Sequence, residues 1–384
     1  MTSPTVYDHA RLLLAAHGPG PWPDGGDPLP DEAAEPGAVR FAAGALDGIM
    51  KHHSRELPDS RDVPALSRDQ LREQALDLVR TGRDREDVKR GLVLLGESGD
   101  ERDRGLLILI GTLEHFTEQA VTALRRTQVD ADQAICTLGR RVAGWGRIAA
   151  VDQLEGTADP EIRAWLLRDG FRNDIDHGYL AITAATTGGL LDALTAGTVD
   201  AELFDGAGEI LSSLVGQDGP GPTIADYPDG EAALRAYAAL AAAREPTLEA
   251  LRAAQAILSF LDGWAMELPL ASRTAELREP YLALTGRPGL REMVLAHLAD
   301  PASPDFWKAL EPADSLGLKP FAQVFAQLTG STAAALNSWY YATKWAAPGE
   351  AEALVALADR RFPPGDDSWP ARYARLVIDP LRQA

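Results

Sequence analysis

The stretch "WGRIAAVDQLEGTADPEIRAWLLRDG", residues 145–170, holds two helix patterns joined by a short acidic turn. Leu138, Val142, Trp145 and Ala149 recur at i, i+4, i+7 and i+11, which predicts one apolar face on the helix that enters it. "GTADP" closes that helix and opens the next. Asp159 is a good N-cap, Pro160 suits the first helical position, and Glu161 complements the helix dipole. Ile162, Trp165 and Leu166 form the second apolar stripe, Arg168 falls in the last turn, and Gly170 reads as the residue that stops the helix. Gly139, Gly144 and Gly146 each cost about 1 kcal/mol of helix propensity relative to Ala. A second backbone packed close against them would offset that cost. Neither helix can bury its stripe alone, so the unit needs neighbours of its own kind.

Working outward, the neighbours are present. "LVLLGESGDERDRGLLILIG" (92–111) repeats the helix, acidic turn and apolar helix of "VDQLEGTADPEIRAWLLRDG" (151–170). "MVLAHLADPASPDFWKALE" (293–311) is a looser version, and "EAEALVALADRRFPPGDD" (350–367) is a degenerate terminal one. From Ser67 onward every apolar pattern is helical, beginning with "SRDQLREQALDLVRTG" (67–82), which carries a Ser start and a Gly stop. The spacing of the copies is irregular. Residues 5–17 read as a short helix through Val6, Leu12, Leu13 and Leu14, and "VRFAAGALDGIMKHH" (39–53) as another. "GPGPWPDGGDPLPDEAAEPG" (18–37) breaks regular structure and reads as an ordered strap or a flexible connection. These patterns predict an all-α chain in three parts: 1–37, a helix and a strap; 38–215, a helical array; and 216–384, a helical C-terminal portion begun by "GQDGPGPT".

On these residues the array resembles the HEAT-like, or armadillo-like, α-solenoid proteins of bacteria. Trp145, Arg147, Ala150, Leu154, Asp159, Pro160, Ile162, Trp165, Leu166, Leu167, Arg168 and Gly170 carry the resemblance. "FRNDIDHGYLAITAATTGGLLDAL" (171–194) continues it. The resemblance extends over about residues 70–215. It implies an irregular HEAT-like superhelical scaffold whose work is binding a macromolecule, and it brings no cofactor and no standard catalytic set.

Composition narrows the partner. Fifty-seven acids against 37 Lys and Arg give a net charge of −20, which repels nucleic acid and anionic membrane and attracts a basic protein. Solubility is the plainer reading of the same surplus. No apolar run reaches the roughly 20 residues of a membrane-spanning helix. The N-terminus lacks the basic start of a signal peptide, and Cys136 is the single cysteine, so the expected compartment is the cytoplasm.

Motifs for chemistry are sparse. The chain has no phosphate loop, no G-x-G-x-x-G after a strand, no H-E-x-x-H and no G-x-S-x-G. Asp174, Asp176 and His177 of "DIDH" could face a metal, but an Asp-rich turn explains them equally. Asp366 and Asp367 of "PPGDDSWP" lie between prolines, in a loop and not on the helix that a terpene-synthase-like metal site needs. The expectation is no metal and no cofactor. Some HEAT-like proteins are alkylpurine DNA glycosylases that use Trp and Asp in a basic groove. By that resemblance Trp145 and Asp152 would share a face, with Arg140, Arg141 and Arg147 near phosphate. The stronger reading puts Trp145 on the packing stripe and Arg140 and Arg147 on an ordinary surface, and the acidic surplus opposes DNA binding. For a protein partner the candidate anchors are Trp339, Tyr340, Tyr341 and Trp345 of "NSWYYATKW" (337–345), aromatics spread too widely around a helix to face one core. Phe321 and Phe325 read as core. The expected function is therefore non-catalytic binding of a basic protein, for example as an immunity protein or antitoxin against a cationic toxin.

Overall fold

The computed structural model describes residues 4–29, 67–216, 219–263, 274–303, 305–330 and 336–383. All regular elements among them are helical, and none is a strand. The expected helix at 39–53, with His52 and His53, lies outside the described residues, as do 30–37 of the strap. The chain forms two compact units, Met1–Pro228 and Asp229–Ala384.

The first unit contains α1 (Val6–His17), α2 (Arg68–Thr81), α3 (Arg85–Ser98), α4 (Arg104–Gly111), α5 (Thr117–Thr127), α6 (Ala131–Gly139), α7 (Gly144–Asp152), α8 (Pro160–Trp165), α9 (Gly178–Gly188), α10 (Leu190–Thr195) and α11 (Ala201–Val215). Helices pack on near neighbours in chain order: α3 on α2 and α5, α5 on α6 and α7, and α9 on α7, α8 and α11. Polar bonds tie each helix pair to the next. Arg72 holds the buried Asp103 at 2.5 Å, Arg104 pairs with Asp130, and Arg168 pairs with Asp200. Thr157 donates to Asp132, Gln133 donates to Asp159, and the Gly156 amide donates to Thr187. Partners in these bonds lie some 25 to 32 residues apart, the length of one helix–turn–helix unit.

Local chemistry explains the caps. Ser67 closes a capping box with Gln70, and Asp159 Oδ1 accepts from the amides of Glu161 (2.8 Å) and Ile162 (3.1 Å). The helix expected to carry both Leu138 and Trp145 is divided. α6 stops at Gly139, Ala143 is extended, and α7 restarts at Gly144 with φ +52°, a conformation that favours glycine. The three glycines there accommodate side chains, not a second backbone. A Cβ on Gly146 would press on Thr117 Oγ1, one on Gly144 on Glu114, and one on Gly139 on the Trp165 ring. Close backbone approach occurs elsewhere, at Gly206, whose Cβ would strike the Leu167 carbonyl, and at Gly221, whose Cβ would strike that of Gly178. Gly170 does not stop its helix in the left-handed conformation. α8 runs on through a π turn, Leu166–Gly170, and Gly170 leaves room for the Trp165 ring.

Residues 18–29 are an ordered strap on this unit. Trp22 and Leu29 are buried, His9 Nε2 lies 2.8 Å from the Gly26 carbonyl, and His115 Nε2 lies 2.9 Å from Asp27. Burial raises the Asp27 carboxyl, but the His115 bond and the charges of His115, Arg85 and His9 together hold it below its ordinary value. α1 buries Val6 and Ala10 and leaves Leu12 and Leu14 exposed, against the apolar face expected there. Residues 219–228 pack back on the first unit, where the Leu191 amide donates to the Tyr227 hydroxyl.

The second unit contains α12 (Gly230–Ala242), α13 (Leu248–Gly263), α14 (Thr274–Thr285), α15 (Leu290–His297), α16 (Leu310–Ser315), α17 (Phe321–Gly330), α18 (Leu336–Trp345), α19 (Pro348–Arg361) and α20 (Trp369–Gln383). Its core gathers Phe306, Leu310, Val324, Leu328, Trp339, Leu354 and Ile378. Phe321 and Phe325 stack at 5.5 Å against it.

Candidate functional site

The four aromatics proposed as partner anchors divide by helical face. Trp339 is 1% exposed and Trp345 5%, so both are core residues and are withdrawn as surface contacts. Their burial follows from α18 lying between α17 and α20. The Trp345 indole N–H donates to Asp314 at 3.0 Å, which supplies the polar partner that a buried indole needs. Tyr340 projects outward at 43% exposure, with the Lys344 ammonium over its ring, and Tyr341 is half-buried beside it.

Two residues that the sequence reading did not select extend this surface. Trp369 is 60% exposed and Leu376 71% exposed. Trp369 packs on Tyr373 at 6.0 Å, and Tyr373 lies close enough to Tyr341 to act on its hydroxyl electrostatically. Burial, with Glu311, Asp314, Tyr340 and Tyr373 nearby, pushes the Tyr341 hydroxyl up to about 12, so it stays a neutral donor at ordinary pH. The result is an aromatic strip across α18 and α20. The spacing 369, 373, 376 was a readable signal for one helical face, because α20 buries Ala371, Ala374 and Ile378 on the other side.

In the first unit, Trp145, Asp152 and Arg147 do not form a common site. Trp145 is half-buried near the start of α7, its ring edge-on to Tyr179 at 5.1 Å and its amide donating to Glu114. Asp152 ends the same helix. It is exposed, yet surrounding protein mass desolvates its carboxyl and Glu155 adds like charge, so it is pushed up to about 6. Arg147 is 8% exposed and committed internally. It donates to the carbonyls of Val142 (3.0 Å), Asp169 (3.2 Å) and Arg172 (3.3 Å), and its guanidinium lies 5.8 Å from the Trp165 ring centroid. An arginine so engaged holds α7 to the π turn and is not presented to a phosphate.

The remaining arginines of that group, Arg140 and Arg141, line a cleft of about 320 Å³ with Gln133, Cys136, Thr137, Glu161, Ile162 and the strap residues Pro19 and Gly20. Burial raises the Cys136 thiol, with Arg140 acting in the opposite direction, so this cysteine lacks the low pKa of a reactive thiolate. In "DIDH", the Asp176 carboxylate accepts from the Gly178 amide, His177 packs edge-on to Phe171, and Asp174 is exposed. Among the described residues no three His, Cys, Asp or Glu side chains gather as a metal site. No described helix is long and apolar enough to cross a membrane.

The charge is unevenly divided. Residues 229–384 carry 19 acidic and 15 basic side chains, a net of −4, which leaves 38 and 22, a net of −16, in residues 1–228. No family model, curated protein or solved structure matches the chain.

Proposed function

We propose that the chain is a non-catalytic protein-binding scaffold of the HEAT-like class, in which stacked helix pairs form the first unit and the second unit carries the contact anchors. The observation that carries this reading is the strip formed by the exposed Tyr340, Trp369 and Leu376 and the half-buried Tyr341 and Tyr373, in a unit whose other exposed large aromatic among the described residues, Trp307, stands apart from it under Arg252. Exposed Tyr and Trp bury much area at low entropy cost and dominate binding energies. The first unit's surplus of acids steers a basic partner, raising the association rate more than the affinity. Neutralisation of a cationic toxin domain fits this division of labour, as does a regulator of another basic protein.

The test is affinity capture from an extract of the source cells at low and raised salt, comparing the wild type with a Tyr340→Ala/Trp369→Ala variant. The expected result is a basic protein retained by the wild type, weakened by salt and lost by the variant. Retention of the same proteins by both forms, or of none by either, would overturn the reading.

A further inference from the structure

We propose that the cleft between the strap and helices α6 and α8 binds a small organic monoanion, recognised through Arg140 and Arg141. This site lies in the first unit and does not depend on the aromatic strip of the second.

The cleft has a built wall and a built roof. α6 supplies Gln133, Cys136 and Thr137 at i, i+3 and i+4, one face of a helix, and Arg140 and Arg141 follow directly from its C-terminal end. α8 contributes Glu161 and Ile162. The strap closes over them with Pro19 and Gly20. Gly20, at φ +108°, sits so close to the Arg141 carbonyl that a Cβ there would collide with it, so the roof is fixed by contact and not merely nearby. At about 320 Å³ the cleft is at the lower bound for small-molecule sites.

The two guanidiniums of the cleft are not among those that the first unit neutralises with a carboxylate. Arg72, Arg104, Arg125, Arg126, Arg147, Arg168 and Arg172 all hold a carboxylate across the first unit. Arg140 and Arg141 have no carboxylate within 4.0 Å among the described residues, although the unit's net charge is −16. Arg140 is instead steadied by the Trp165 ring, 5.3 Å from its guanidinium carbon to the ring centroid. That contact fixes the cation without neutralising it. Gln133 gives an amide N–H to Asp159, and the Thr137 hydroxyl is spent on the Gln133 carbonyl, so the charged donors of the cleft are the two arginines.

Glu161 sets the ligand's net charge. The lining holds two guanidiniums and one carboxylate, and the Asp159 carboxylate behind Gln133 is already taken by Gln133 and the Glu161 and Ile162 amides, so the wall suits one anionic head and disfavours polyanions. Glu161 then accepts from a hydroxyl or ammonium on the ligand, and Ile162 and Pro19 offer apolar surface to its body. Carboxylate and phosphate heads share the chemistry that arginine pairs recognise.

Titration calorimetry with benzoate, its neutral isostere benzamide, and phenyl phosphate tests the proposal on the full chain. Benzoate should bind once per chain with a Kd of about 1 mM or tighter, and benzamide at least about tenfold more weakly. Arg140→Gln/Arg141→Gln should weaken benzoate by at least about tenfold. At about pH 5, where both probes are monoanions, phenyl phosphate bound more tightly than benzoate identifies a phosphate head, and the reverse order a carboxylate head. Glu161→Gln should tighten phenyl phosphate severalfold, a gain that damage to folding would not produce. Amide shifts of Gly20 and Thr137 on titration should place the probe in the cleft. Absence of saturable benzoate binding up to about 10 mM, equal binding of benzamide, or unchanged affinity in the arginine variant would overturn the proposal.

Discussion

Replacing Arg147 tests how the first unit is held together at the stretch where its two helices meet. The guanidinium joins α7 to the C-terminal end of α8 and its π turn, donating to three backbone carbonyls while it packs against Trp165. Its bond to the Asp169 carboxylate, at 3.2 Å, adds little, because Asp169 is 52% exposed and solvent screens the pair to about 0–1 kcal/mol. The carbonyl bonds matter more. One nitrogen serves Val142 well and another is shared among longer contacts, so about two charge-assisted bonds, at about 1.5 kcal/mol each, are at stake. Loss of the contact with Trp165 adds about 0.5–1 kcal/mol. Arg147→Ala should therefore destabilise the first unit by about 3–4 kcal/mol, and Arg147→Lys by about half of that, because the fork is lost while the charge remains. Calorimetric melting is the assay, since it can resolve separate transitions for two units where a single two-state fit would not. At about 2–4 °C per kcal/mol for a unit of this size, Arg147→Ala should lower the first unit's Tm by about 6–16 °C. A double-mutant cycle with Asp169→Asn should return a coupling below about 1 kcal/mol. A Tm within about 2 °C of the wild type would refute this account and return Arg147 to the surface.

Three further outcomes follow from the packing and charges. Gly206→Ala should cost about 1–3 kcal/mol because its Cβ would strike the fixed Leu167 carbonyl, whereas Gly105→Ala, with nothing within 4 Å, should stabilise α4 by up to about 1 kcal/mol; urea melts of the two compare them directly. Asp152 has its carboxyl raised from 3.8 to about 6, so its ionisation opposes folding: the penalty is absent below about pH 4, grows as pH rises through about 6, and is full above that. Asp152→Asn should then stabilise by about 0.5 kcal/mol at about pH 7.5, after screening of this exposed side chain, and have no effect at about pH 3.5. Equal effects at both pH values would contradict the assignment. Trp339→Ala should destabilise the second unit by about 3–5 kcal/mol, whereas Tyr340→Ala should stay within about 1 kcal/mol of the wild type in thermal melts.

The local signals in the sequence were the readable ones. Asp159, Pro160 and Ser67 mark helix starts by their own chemistry, and the structure places each where that chemistry requires. The break between α6 and α7 was hidden because Leu138, Val142 and Trp145 keep helical spacing across a segment that Gly144 interrupts. Periodicity also could not separate Trp339 from Tyr340, since only the helices on either side of α18 decide which ring is covered. Arg147 reads as a surface arginine because its partners lie 22 and 25 residues away in another helix and its following turn. The cleft was the least legible feature. Its roof, Pro19 and Gly20, is separated from Arg140 and Arg141 by more than a hundred residues, and no spacing rule connects them.

The central claim is that an exposed aromatic strip on the second unit anchors a protein partner. Hydrogen–deuterium exchange of the chain, alone and in the complex retained at low salt, tests it most directly. The account predicts that binding slows exchange in α18 and α20, strongest over residues 336–345 and 369–378, and that Tyr340→Ala/Trp369→Ala abolishes this slowing. Protection confined to the first unit, with α18 and α20 exchanging as in the free chain, would contradict it.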